Sequence, residues 1–113
     1  MPIANCFLHD DVPTELELEV DALTALWSQE SDISSEQMTI NVITGTRQTG
    51  TRYRVMAFLY LPSLWRSEQV GRLQVGLARA LSRGFAVAPD EVQVITSIVD
   101  SGHVVAGGKT QSW

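Results

Sequence analysis

The chain begins MPIANCFL, and its second residue could do unusual chemistry. If the initiator Met is trimmed, Pro2 carries a secondary α-amine. Such an amine titrates near ~8, well below a lysine, so near neutral pH part of it is a free base. Burial and nearby arginines both disfavour the cation and push that value lower. A neutral Pro2 amine can take a proton beside a carbonyl and return it to a different atom, first as general base and then as general acid. A second group of residues suits the substrate side. From Gln37 to Ser67 there is no acid, yet Arg47, Arg52, Arg54 and Arg66 all fall there. A guanidinium grips a carboxylate through two parallel hydrogen bonds, so this run points to a site for a small anion.

The remaining reactive side chains say less. His9 stands beside Asp10 and Asp11 and could orient a water or bind a metal, although two acids before a helix more often make a solvated cap. Cys6 is the sole cysteine, so no disulfide forms within the chain, and no Cys/His cluster has zinc spacing. No phosphate loop or nucleotide fingerprint is present. No cofactor and no metal are therefore expected.

Composition bounds the setting. A length of 113 residues fits a single domain, 1–113, with room for a real core. The net charge of −5 argues against a nucleic-acid partner. That charge is uneven: residues 1–46 hold nine acids and no Lys or Arg, while the eight cations all follow. No apolar run approaches the ~20 residues of a membrane helix, so no membrane partner is expected. No cation precedes the first apolar stretch as in a secretory signal, which makes the cytoplasm the expected compartment.

The elements that position these residues read as β-α-β twice. Ile3–Leu8 is a strand without clean alternation, expected to be buried on both faces. Pro13 and Glu15 open a helix, with Leu16, Val20, Leu23 and Trp27 on its inner stripe and an end near Ser28. Met38–Thr44 is a second strand, GTRQTGTR a turn or short hairpin, and Arg52–Leu61 a third strand, on which Arg52 and Arg54 share a face. A second helix follows, capped by Ser63 or Ser67 and packed through Val70, Leu73, Leu77 and Leu81. Gly71 and Gly76 suggest close packing against the sheet, and Gly84 suits its C-terminal cap. Arg72, Arg79 and Arg83 fall on its solvent face. Val92–Val99 is a fourth strand.

The two halves also echo each other. INVIT (Ile40–Thr44) and VQVIT (Val92–Thr96) each follow an amphipathic helix, 52 residues apart. The repeats span about 2–50 and 51–113. Each βαβ unit must be right-handed with parallel strands. The expected fold is α+β: duplicated β-α-β units forming a four-stranded mixed sheet with two helices on one face. The other face, apolar and uncovered, calls for oligomerisation.

A duplicated βαβ unit beginning Met-Pro resembles the tautomerase superfamily. Pro2-Ile3-Ala4 is similar to the start of 4-oxalocrotonate tautomerase. Gly102-His103-Val104-Val105-Ala106-Gly107-Gly108 is similar to that family's G-H-x-x-x-G-G segment. Length and layout resemble the fused-repeat members, such as those like macrophage migration inhibitory factor. The resemblance covers essentially the whole chain. It implies a homotrimer, a catalytic Pro2 freed by loss of Met1, and sites near subunit boundaries. It also implies an arginine for the substrate carboxylate. In the first repeat that place is Val12; in the second, SLWRSEQ supplies Arg66. The family's second arginine falls at Asn41 and Gln93, amides that donate hydrogen bonds but carry no charge. An apolar wall is expected from Val104, Trp65, Phe58 or Trp113.

The reading that follows is an enol–keto tautomerase acting on a small 2-oxo carboxylic acid. Pro2 is catalytic, and Arg66, Arg52, Arg54 and Val104 bind substrate. The alternatives are a dehalogenase, hydratase or decarboxylase on the same scaffold, or a non-catalytic ferredoxin-like ligand-binding or assembly module. A water-activating acid would be expected near the second or third strand, where the sequence has none.

Overall fold

The protein is described here from a computed structural model, which defines residues 2–13 and 17–113. Its elements are strand β1 (Ile3–His9), helix α1 (Glu17–Ser31), strands β2 (Thr39–Thr46) and β3 (Val55–Pro62), helix α2 (Ser67–Phe85), and strand β4 (Val92–Val99). A short hairpin of β5 (Val104–Ala106) and β6 (Lys109–Gln111) follows. The main sheet has the order β2-β1-β3-β4. β1 and β2 run parallel, β3 and β4 run parallel, and the two pairs meet antiparallel through β1 and β3. INVIT and VQVIT occupy β2 and β4, the two edge strands.

Strand alternation sets which side is the core. Ala4, Cys6 and Leu8 of β1, with Val55, Ala57, Leu59 and Leu61 of β3, are fully buried against Leu23 and Trp27 of α1 and Leu73, Leu77 and Leu81 of α2. Burying each Leu or Val among them contributes roughly 1.5–3 kcal/mol. The opposite face of β1 is only half-buried, so the strand is not covered on both sides as its composition suggested. Nor is that face simply apolar. Asn5 and Asn41 bond across it (2.9 Å), beside an edge-to-face Phe7–Phe58 pair with centroids 5.7 Å apart. Ile95 and Ser97 continue it on β4.

The helices pack tightly. Trp27 donates its indole N–H to the Leu73 carbonyl (2.9 Å), a buried polar group that would otherwise cost about 1–3 kcal/mol. A Cβ on Gly76 would lie 2.9 Å from the Ser31 backbone nitrogen, so only glycine admits this approach. Gly71 faces open space, and the close packing predicted against the sheet is made instead against α1 at Gly76. Because Ser31 seats there, α1 runs a turn past the predicted end at Ser28 and stops at Asp32, whose φ is +56°. The predicted first turn around Glu15 and Leu16 lies outside the described residues.

Three other boundaries differ from expectation. β3 starts at Val55, so Arg52 and Arg54 precede the strand rather than sharing one of its faces. The N-cap of α2 is Arg66, not Ser63 or Ser67: its backbone N–H donates to Gln69 Oε1 (3.0 Å), the return half of a capping box. Gly84 lies inside α2, kept small by Leu23 Cδ2 at 2.5 Å from a built Cβ, while Ala86 takes the left-handed cap (φ +53°). In β2, Gly45 (φ +72°) absorbs the bulge opposite β1, where the register jumps from Phe7↔Ile43 to His9↔Thr46.

Candidate active site

Pro2 leads into β1, and its carbonyl accepts the Thr39 N–H (3.0 Å). Ile3 sits between Thr39 of β2 and Tyr60 of β3, and one more antiparallel step sets Leu61 across from Pro2. Pro2 is buried.

The chain then brings three further segments to this end of the sheet. β3 finishes at Pro62, and Ser63–Arg66 turn into α2, with Trp65 N–H donating to the Pro62 carbonyl (3.3 Å). β4 finishes beside Pro62 at Val99, whose carbonyl accepts the Ser63 N–H (2.9 Å). The β5–β6 hairpin leaves from there, carrying half-buried Val104 opposite Gln111. Trp113 is tied back to the same place: its indole N–H donates to Ser63 Oγ (2.9 Å) and its backbone N–H to Ser101 Oγ (2.8 Å). Arg66 is exposed at the start of α2, and no described carboxylate pairs with it.

Of the predicted site residues, Pro2, Arg66 and Val104 thus gather at one end. Arg52 and Arg54 lie at the other. β1 spans six steps from Ile3 to His9, about 20 Å at ~3.3 Å per residue, and His9 N–H donates to the Arg54 carbonyl (2.9 Å). Arg54 is already engaged, Nε at 3.4 Å from Asp11 and Nη1 at 3.3 Å from Glu91. Arg52 is exposed in the connection before β3.

The other reactive groups separate cleanly. His9 Nδ1 lies 3.0 Å from both Asp10 and Asp11. Asp11 is partly desolvated, which raises its pKa, but hydrogen bonds from His9 and Arg54 outweigh this and hold the carboxyl below its ordinary range. Burial pushes the Cys6 thiol up to about 12, so no thiolate forms at neutral pH. Asn41 donates one amide N–H to Asn5 Oδ1 (2.9 Å). Arg72, expected on the solvent face, is half-buried with an Nε that has no partner, and the Trp65 indole N–H is likewise buried and unpaired. The pinning of Trp113 through Ser63 and Ser101 was invisible in sequence, since it joins residues 50 and 12 positions apart. Among the described residues no cluster of His, Cys, Asp and Glu could hold a metal ion, and no helix is long and apolar enough to cross a membrane.

No protein-family model and no curated protein matches the chain. Solved structures do. A fused 4-OT solved as an asymmetric trimer is 16% identical, with a TM-score of 0.77 over 96% of this chain and 94% of that one. Pt0534, solved after inactivation by 2-oxo-3-pentynoate, is 10% identical at a TM-score of 0.74, over 96% and 94%. A macrophage migration inhibitory factor homologue from Prochlorococcus marinus is 8% identical at 0.71, over 97% and 99%. At these identities the likeness is one of architecture, and it spans essentially both chains in each case. Two βαβ units back to back, with Pro2 at the start of an inner strand, give this chain the fold of the tautomerase superfamily.

Proposed function

We propose that the protein is an enol–keto tautomerase for a small 2-oxo carboxylic acid, with the Pro2 amine as its proton carrier once Met1 is removed. The observation that carries this reading is the placement of buried Pro2 at the sheet end reached by Arg66 and the β5–β6 hairpin, in a fold shared with a fused 4-OT. In ketonisation the neutral amine accepts the enol O–H proton. The oxygen electron pair forms the carbonyl, and the C=C pair takes a proton back from the prolinium at the neighbouring carbon. One proton changes place, nothing is oxidised, and no cofactor is needed.

Arg66 binds the carboxylate as an unpaired guanidinium, while Val104 and the tethered Trp113 supply the apolar wall. The inactivation of Pt0534 by a 2-oxo acid supports this substrate class. The assembly is a homotrimer in this reading, with the half-covered face around Phe7, Phe58 and Ile95 turned toward the other copies. Arg52 and Arg54 reach a Pro2 only across a subunit boundary.

The test is ketonisation of phenylenolpyruvate by protein whose N-terminal mass confirms loss of Met1, beside Pro2→Ala. A fall of about a hundredfold or more, the scale of a positioned acid–base group, is expected. Equal rates in the two proteins would sink the proline mechanism. Labelling by 2-oxo-3-pentynoate, mapped by peptide mass, should fall on Pro2.

A further inference from the structure

A cavity of about 520 Å³ opens along the C-terminal half of α2, within the roughly 300–1,000 Å³ range of small-molecule clefts. Its apolar lining comes from Val75 and Ala78 of α2, Pro89, and Val94 of β4. Its polar groups are not equivalent. Arg83 is paired with Glu30, so those two charges cancel. Arg79 also lines the cavity, and no described carboxylate pairs with it. Gln74 accepts from Thr96 through Oε1 (2.7 Å), which leaves its amide N–H groups as donors.

One uncompensated cation, one amide donor and an apolar lining select a ligand with a single negative head and an apolar body. A single carboxylate matches the one lining cation that has no described partner, and a second negative charge would find none. The position is equally informative. Thirteen residues separate Arg66 from Arg79 on α2, about 20 Å at 1.5 Å per residue. Neither Pro2 nor Arg66 is among the residues that line the cavity.

We propose that the cavity is a second binding site, separate from Pro2, for a small amphipathic monocarboxylate with an aryl or short alkyl body. Arg79 holds the carboxylate, and Val75, Ala78, Pro89 and Val94 take the apolar body.

Titration calorimetry of the full chain with 4-phenylbutyrate, and with its uncharged amide, tests this. Saturable binding is expected in the native protein and equally in Pro2→Ala, which empties the proposal of any dependence on the Pro2 reaction. Arg79→Gln should weaken the acid about tenfold, the worth of one charge-assisted hydrogen bond, and leave the amide unchanged. Ala78→Phe should abolish binding of both while preserving the fold by circular dichroism. The proposal is overturned by any of four results: no saturable binding, binding indifferent to both cavity substitutions, binding lost in Pro2→Ala, or an Ala78→Phe protein that changes oligomeric state. The last would make the cavity a contact between copies.

Discussion

The two ends of the sheet hold the same kinds of residue in opposite electrostatic states. At the His9 end, charges of both signs are packed together. Arg54 lies between Asp11 and Glu91, and His9 between Asp10 and Asp11. At the Pro2 end no described ion pair forms: Arg66 is unpaired, and neither Glu68 in the first turn of α2 nor Asp100 after β4 pairs with a described cation. A cation satisfied by its own chain has little left to offer a ligand. The difference supports the ligand role proposed for Arg66 and gives Arg54 a structural one, although the two look alike in sequence.

The contrast breaks most visibly under exchange of the two arginines for glutamine. Arg66→Gln should raise KM for a 2-oxo acid about tenfold or more, since a charged hydrogen bond to substrate is lost. Arg54→Gln should leave KM near native and lower the melting temperature instead. Steady-state kinetics beside thermal melts read both, and the reverse pattern would reassign the site to the His9 end or to a boundary between copies.

The helical layer offers a sharper structural test. Gly76→Ala sets a Cβ against Ser31 backbone at 2.9 Å and should cost about 1–3 kcal/mol in denaturant unfolding. Gly84→Ala meets only the flexible tip of Leu23 and should cost less. Arg72→Met removes a buried nitrogen without a partner and should raise stability by about 1 kcal/mol. A fall instead would mean that the guanidinium meets an acceptor in the assembled protein.

The smallest effect belongs to Asp11. Its folded pKa lies below the ordinary value, so its contribution is present above that value and fades as the pH falls through the depressed one. Asp11→Asn should melt slightly lower than the native protein at pH 6, with the gap closing on acidification below pH 3.8. A gap that persisted at low pH would detach Asp11 from the charge network.

Much of this architecture was legible because it is written locally. The INVIT/VQVIT echo announced the two parallel pairs, and the bounds of β4 followed from its apolar run and flanking turns. The place of Pro2 at the head of β1 was legible because the apolar run that follows it marks the strand. Arg54 was not, because its carboxylates sit 43 and 37 positions away, and it takes the antiparallel β1–β3 pairing to bring up Asp11 and the parallel β3–β4 pairing to bring up Glu91. The cap of α2 was misread for a similar reason. Gly84 looked like a helix end, yet its lack of a side chain serves Leu23 on the other helix. Burial of Arg72 follows from its place one turn before Gly76, where α1 crowds in.

The seam between the helices has a consequence for traffic. Ser31 is pressed into Gly76, and the Trp27 indole is bolted to the Leu73 carbonyl. Parting α1 from α2 would break a buried hydrogen bond and undo a backbone-level fit at the same moment. The helical layer therefore cannot serve as a pair of jaws. Amide exchange should find the exposed β5–β6 hairpin quick and the seam slow.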